Sequence, residues 1–325
     1  MSVLTAKSTQ ETQPLLPTTT SDALERAARP HALLGMACVA LSAVSFSLVT
    51  TLVKYNTRFM SSMDAIFWRS VFAIALNYIC IWHRGLSVYV APEDRRLLFF
   101  RCLAGFLSIA FAFYAVSQMV LADASAIVFT SPVFTFFLGA CLLHERIDGP
   151  SFACALLSFG GLVCVVRPSF LFGADHAAAG SHLAVGAALL GAIGQAFVYV
   201  LVRRLTRVHF LVIVHYFMLA SIAGSLLFAV FVQRVRQALV VPHSLTLWAT
   251  VALSGVFTFS GQLLLTRGFQ LEKAGVAAVM RYLDVICVFV WDAALLGEAI
   301  SAWSVLGAAI ICGCAAVIAL RKAHQ

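Results

Sequence analysis

Runs of about twenty consecutive apolar residues recur along this chain from residue 33 to residue 320. Wound as an α-helix, a run of that length matches the hydrocarbon thickness of a bilayer, about 30 Å. The runs are continuous and do not alternate with period two, which argues against barrel strands. Ten spans are legible: 33–53, 64–82, 97–117, 122–143, 151–166, 183–202, 209–232, 246–266, 274–296 and 302–320. Composition agrees, with 62% hydrophobic and 11% charged residues. Soluble domains carry about 45–50% and about 25% respectively. The expected fold is an all-α polytopic membrane protein with ten transmembrane helices. The first run starts too late and is too long for a cleavable leader, so it is expected to remain as an anchor.

The formal net charge of +8 follows from basic loops and not from a nucleic-acid surface. No basic stripe or aromatic platform accompanies it. With the N-terminus cytoplasmic, 13 Lys and Arg residues close to the spans fall on the cytoplasmic side (Arg84, Arg203, Arg204 and Arg321 among them) and 5 on the other. Both termini are therefore expected in the cytoplasm. The nine cysteines lie in apolar stretches and form no CxxC pair, so no metal site or disulfide framework is indicated. No HExxH, GxSxG or DHHC-type motif appears, and no phosphate-cradling glycine loop, so neither an enzyme nor a cofactor is expected.

The chain repeats itself. The segment "LLHERIDGPSFACALLSFGGLVCVV" (142–166) resembles "LLGEAISAWSVLGAAIICGCAAVIA" (295–319), with Glu145 over Glu298 and Gly160 over Gly313 at an offset of 153. Just upstream, Gln118 falls on Gln270 and Ala126 on Ala278 at an offset of 152. Five spans per half is an odd number, so the second half enters the membrane from the opposite side. That is a five-plus-five inverted-topology repeat, a plan common in secondary transporters, with the substrate site between the halves.

These features, with "L-L-x-E" closing spans four and nine, resemble the EamA-type drug/metabolite transporter superfamily. The segment "ASAIVFTSPVFTFFLGACLLHERI" (124–147), including Pro132, is similar to that family's fourth span. In the second half, "VMRYLDVICVFVWD", preceded by "EKAG" (272–275), looks more like the solute carrier 35 group, G branch. The resemblance implies a cytoplasmic disordered tail (1–32), a first EamA-like five-helix repeat (33–167), a non-cytoplasmic linker (168–182), a second repeat (183–320) and a short cytoplasmic tail (321–325). It implies transport, while the superfamily's cargoes are too varied to name one.

Charges within the spans mark the candidate site. Arg281 and Asp284 sit inside span nine, where a charge costs about 2.5–3.5 kcal/mol on insertion scales. They face either each other, as an i, i+3 ion pair, or a cavity in which Arg281 grips an anionic group and Asp284 orients it. Arg69, inside span two, either joins that site or snorkels to the interface; Arg101 is expected to snorkel. Cavity candidates among polar and aromatic residues are Gln118, Gln270, Tyr199, Tyr282 and His215, with Gln195, Gln262 and Tyr216 beside them. Asp292 is a candidate proton-coupling carboxylate; Glu145 and Glu298 are read as helix-end residues. Two arginines against one aspartate favour a small organic anion as the cargo. Amino acids, amines and nucleotide sugars, or a membrane scaffold without transport, are the alternatives. Small-xxx-small spacings such as Ala309 with Gly313 permit close helix contacts, within the chain or in a homodimer. The tail segment "ETQPLL" (Glu11, Leu15, Leu16) resembles an acidic dileucine signal read by sorting adaptors, which gives residence in a plasma, endolysosomal or vacuolar membrane.

Overall fold

The computed structural model describes residues 18–119, 121–168, 171, 182–231, 241–296 and 302–324. The first-half elements are α1 (Thr18–Asn56), α2 (Ser62–His83), α3 (Pro92–Gln118), α4 (Leu121–Val128), α5 (Ser131–Leu143) and α6 (Gly149–Val166). The second half holds α7 (His182–Arg204), α8 (Phe210–Phe231), α9 (Leu245–Leu271), α10 (Ala274–Val279), a 3-10 turn (Met280–Tyr282), α11 (Leu283–Leu296) and α12 (Ala302–His324). Nine described helical segments are long and apolar enough to cross a membrane. The chain is an integral, multi-pass membrane protein. Residues 274–296 cover the length of a further span in three successive pieces. α1 begins at Thr18, where "DALERAA" supplies good helix formers. Glu11, Leu15 and Leu16 lie outside the described residues.

Helix starts follow capping chemistry. Ser61 and Asp64 form a reciprocal capping box at α2, and the Ser244 hydroxyl accepts from Leu247 N–H at 3.2 Å at α9. Asp148 caps α6 by accepting from Ser151 N–H, and Pro92 supplies the first turn of α3. The side-chain caps satisfy backbone donors that have no partner within the helix, and Pro92 has no N–H to leave unmatched.

The break between α4 and α5 has a local cause. Pro132 has no N–H to give the carbonyl of Val128, four residues back, and its ring crowds that carbonyl. The helix stops at Val128, and Thr130 turns its N–H and its hydroxyl onto Ile127 O, at 3.0 and 2.6 Å. The second break, at Met280–Tyr282, falls 152 residues later and holds no proline.

The surface is apolar, with Trp82 77% and Leu245 86% exposed, while Ser42, Ser47, Asn77 and Thr135 are buried. This is the polarity expected when the surrounding solvent is lipid. Several buried hydroxyls return their protons to their own helix, as in Ser42 to Val39 O at 2.7 Å and Ser225 to Ser221 O at 2.7 Å, which matches those donors without water.

Packing is reciprocal between the halves. α1 lies along α9, as α7 lies along α3; α1 also packs on α11, as α7 packs on α5. α2 pairs with α8 and α6 with α12. The α6–α12 contact is backbone-close: a Cβ on Gly307 would meet Gly161 O at 2.3 Å, and one on Gly161 would meet Gly307 O at 2.8 Å. By contrast, Gly160 and Gly313, which the repeat superimposes, have nothing within 4 Å of a Cβ.

Candidate functional site

A cavity of about 340 Å³ lies inside the bundle. α1 through α5, α7, α8, α9 and the segment around the second break contribute lining; among the described residues α6 and α12 do not. Both helix breaks border it. Val128, Phe129 and Ser131 come from the first break, and Arg281 and Asp284 from the second. The N-termini of two half-helices, α5 and α11, thus meet the cavity with the positive ends of their backbone dipoles.

Arg281 closes the 3-10 turn and Asp284 stands in the first turn of α11; at i and i+3 the two side chains are neighbours on one face. Arg281 Nη2 donates to Asp284 Oδ2 at 2.7 Å, with side-chain exposures of 12% and 8%. The guanidinium lies 4.9 Å from the ring centroid of Phe46 on α1. The pair is not saturated. Arg281 Nε and Nη1 and Asp284 Oδ1 are buried without hydrogen-bond partners.

Arg69 enters the cavity from α2. Its Nε is buried and unpartnered, and it forms no ion pair among the described residues. Asp284 is the one carboxylate among the described lining residues, and Arg281 already holds it. Tyr199, stacked on Phe269 with ring centroids 4.3 Å apart, Gln195 and Gln262 also line the space.

The other candidates lie elsewhere. Gln118 is exposed at the end of α3. Gln270 donates to the carbonyls of Leu205 and Val208, at 2.8 and 2.9 Å, and so ties α9 to the α7–α8 connection. Tyr282 is fully buried in the main core, its hydroxyl without a partner. His215 sits between Tyr78 and Tyr216, at ring distances of 6.5 and 5.9 Å, outside the lining. Arg101 does not snorkel; it is 1% exposed, because α3 begins at Pro92 and carries it deeper than a span starting at 97 would. The Asp292 side chain and Glu298 lie outside the described residues. Ser70, Ser108, Ser131, Ser221 and Thr258 also line the cavity. Their only sequence signal is a hydroxyl in an aliphatic span, which back-bonding to the helix produces as well.

Polar contacts cluster at one end of the bundle. Glu145 accepts from Arg203 Nε at 3.2 Å and from Ala274 N–H at 3.0 Å. Arg203 Nη1 donates to Gln270 O at 2.6 Å. Lys322 reaches Glu272 at 3.1 Å and Arg321 reaches Asp148 at 3.0 Å. Outside the spans, the Ser151 hydroxyl holds the Asp148 carboxyl below its ordinary range; burial opposes it, and the hydrogen bond and charge of Arg321 add to the lowering. Burial, followed by Arg84 and Arg267, lowers the affinity of His209 for a proton.

Residues 33–167 and 182–320 each match the EamA-like transporter family. The chain belongs to that family. Among EamA-like relatives, the probable transport protein YPL264C of Saccharomyces cerevisiae is 31% identical over 67% of this chain and 65% of its own length. The chain therefore spans just under two thirds of that yeast protein. Solute carrier family 35 member G1 of Homo sapiens is 27% identical over 90% of the chain and 80% of its own length, in line with the resemblance to the G branch. The pseudopaline exporter CntI of Pseudomonas aeruginosa is 28% identical over 90% of the chain and 97% of its own. A crystal structure superimposes with a TM-score of 0.75 at 21% identity, covering 88% of this chain and 96% of that one. That likeness shows the shared fold.

Proposed function

We propose that this chain is a secondary transporter that carries a small organic anion across the membrane by alternating access. One observation carries the reading. Among the described lining residues, the central cavity presents Arg69 and Arg281 against a single carboxylate, Asp284, which is already bonded to Arg281. A guanidinium enclosed in a bundle binds carboxylate or phosphate oxygens through paired N–H donors. The free Nε and Nη1 of Arg281 and the charge of Arg69 are the binding groups, and Asp284 keeps Arg281 pointed inward. The inward-facing dipoles of α5 and α11 add to the attraction.

The same reading makes the architecture ten spans in a five-plus-five inverted repeat. Two breaks 152 residues apart and the exchange of packing partners between halves support it. The end with the polar contacts carries Arg203, Arg321 and Lys322 and is the cytoplasmic end by the distribution of basic residues. Both termini are then cytoplasmic, and the cavity faces away from that side. Repacking of the Glu145 contacts would open the opposite path. CntI, named as an exporter, supports movement of a solute over catalysis. The sorting signal at Glu11, Leu15 and Leu16 would direct the chain to an endolysosomal or vacuolar membrane, or to the plasma membrane.

The test is uptake into vesicles reconstituted with the full chain. Radiolabelled small organic acids, amines and sugars are offered in turn, each with excess unlabelled anion or cation. Accumulation of an acid, inhibited by anions and not by cations, is expected. Accumulation of amines or sugars indifferent to anions would overturn the cargo class. Accumulation of nothing would favour a scaffold.

A further inference from the structure

α3 carries a guanidinium that the site as described does not use. Arg101 is 1% exposed and is among the largest fully buried side chains of the molecule. Its Nε and Nη1 have no hydrogen-bond partner, and no carboxylate pairs with it among the described residues. An unpaired buried cation is costly and persists where something else draws on its charge.

Its two contacts show what does. Arg101 Nη2 donates to Gln262 Oε1 at 3.3 Å, and its guanidinium carbon lies 4.0 Å from the centroid of the Phe217 ring. Gln262 and Phe217 both belong to the cavity wall. The guanidinium thus stands one side chain behind the lining. Arginine offers donors only, so Gln262 must turn its carbonyl toward Arg101. The amide NH2 is then turned away from Arg101, as a donor held for the cavity side. The field of Arg101 acts through the same thin layer, in a low-dielectric interior where a unit charge is weakly screened.

We propose that Arg101 is a specificity-determining positioning residue: it makes the cavity prefer anions by charging its wall from behind and by fixing Gln262 as a hydrogen-bond donor. This rests on the cavity as the cargo site, though not on transport itself.

The test needs no knowledge of the cargo. Ile109 is half-buried on the cavity wall, two turns beyond Arg101 on α3, and none of the nine native cysteines is among the lining residues. The full chain carrying Ile109→Cys, in vesicles, is reacted with an anionic and a cationic methanethiosulfonate, with the wild-type rates subtracted. Relative to a free thiol, the anionic reagent is expected to be favoured. Arg101→Gln should lower that preference by about tenfold or more, the order expected for one unit charge at this range. Arg101→Lys should keep most of it. Gln262→Glu leaves Arg101 in place but neutralises it and removes the donor, so it should lower the preference as well, even where Arg101→Gln fails to fold. Preference for anions that survives both Arg101→Gln and Gln262→Glu would overturn the role of Arg101 while leaving the cavity reading intact. No anion preference in the Ile109→Cys chain itself would overturn the cavity reading too.

Discussion

Glu145 and Arg203 meet at 3.2 Å across one end of the bundle, and the same carboxylate accepts the backbone N–H of Ala274 at 3.0 Å. One side chain therefore joins the ends of α5 and α7 to the start of α10. Hydrogen bonds to charged groups contribute about 1.5–3 kcal/mol each, and both side chains are mostly buried, at 27% and 17% exposure. Glu145→Gln should lower the thermal midpoint of the purified protein and increase labelling of cysteines introduced beside Gln270. An unchanged midpoint with unchanged labelling would mean that the contact closes nothing.

The α6–α12 contact separates two kinds of glycine. A methyl group on Gly307 would stand 2.3 Å from Gly161 O, so Gly307→Ala must push two helix backbones apart. Overpacking of this kind costs about 1–3 kcal/mol. Gly160→Ala and Gly313→Ala meet nothing within 4 Å and should be neutral or stabilising by up to about 1 kcal/mol, from helix propensity. Thermal unfolding in detergent compares the three. Equal destabilisation by all of them would contradict the packing described.

Asp148 gives a pH dependence. The Ser151 hydroxyl and then Arg321 hold its folded-state pKa below the unfolded value. A depressed carboxyl contributes stability that is fully present above its unfolded pKa and is lost as the pH falls through its folded pKa. Stability against pH should therefore fall on the acid side of the ordinary carboxylate range, and Asp148→Asn should flatten that part of the profile. An identical acid limb in the variant would remove Asp148 from the account.

The nine described spans were legible because each is a continuous apolar run. The two breaks were not: 122–143 reads as one span although Pro132 lies within it, and nothing in "VMRYLD" marks a 3-10 turn in a single sequence. Among the residues that line the cavity, Arg281, Asp284 and Arg69 are marked in the sequence by their cost in lipid, and Tyr199, Gln195 and Gln262 by polarity within an apolar span. The same polarity marks Gln118, Gln270, Tyr282 and His215, which do not line it, because lipid is as apolar as the core and no amphipathic stripe separates the inner face of a helix from its outer face. Arg101 was misjudged through a boundary. With the start of α3 at Pro92 and not at 97, a residue expected at the interface becomes a buried one.

In the proposed transport, Arg281 binds the cargo and does more than pair with Asp284. The double variant Arg281→Asp, Asp284→Arg preserves an i, i+3 ion pair in the same turn while moving the cation by one turn. The measurement is the shift in thermal midpoint that small organic acids produce in the purified full chain, wild type against swap, with an unshifted basal midpoint as evidence of folding. A bound ligand at a hundredfold excess over Kd stabilises by about 2.7 kcal/mol. The account predicts that an organic acid stabilises the wild type and leaves the folded swap variant unmoved. Equal stabilisation of both proteins by the same acid would show that the pair is structural and that the anion binds elsewhere.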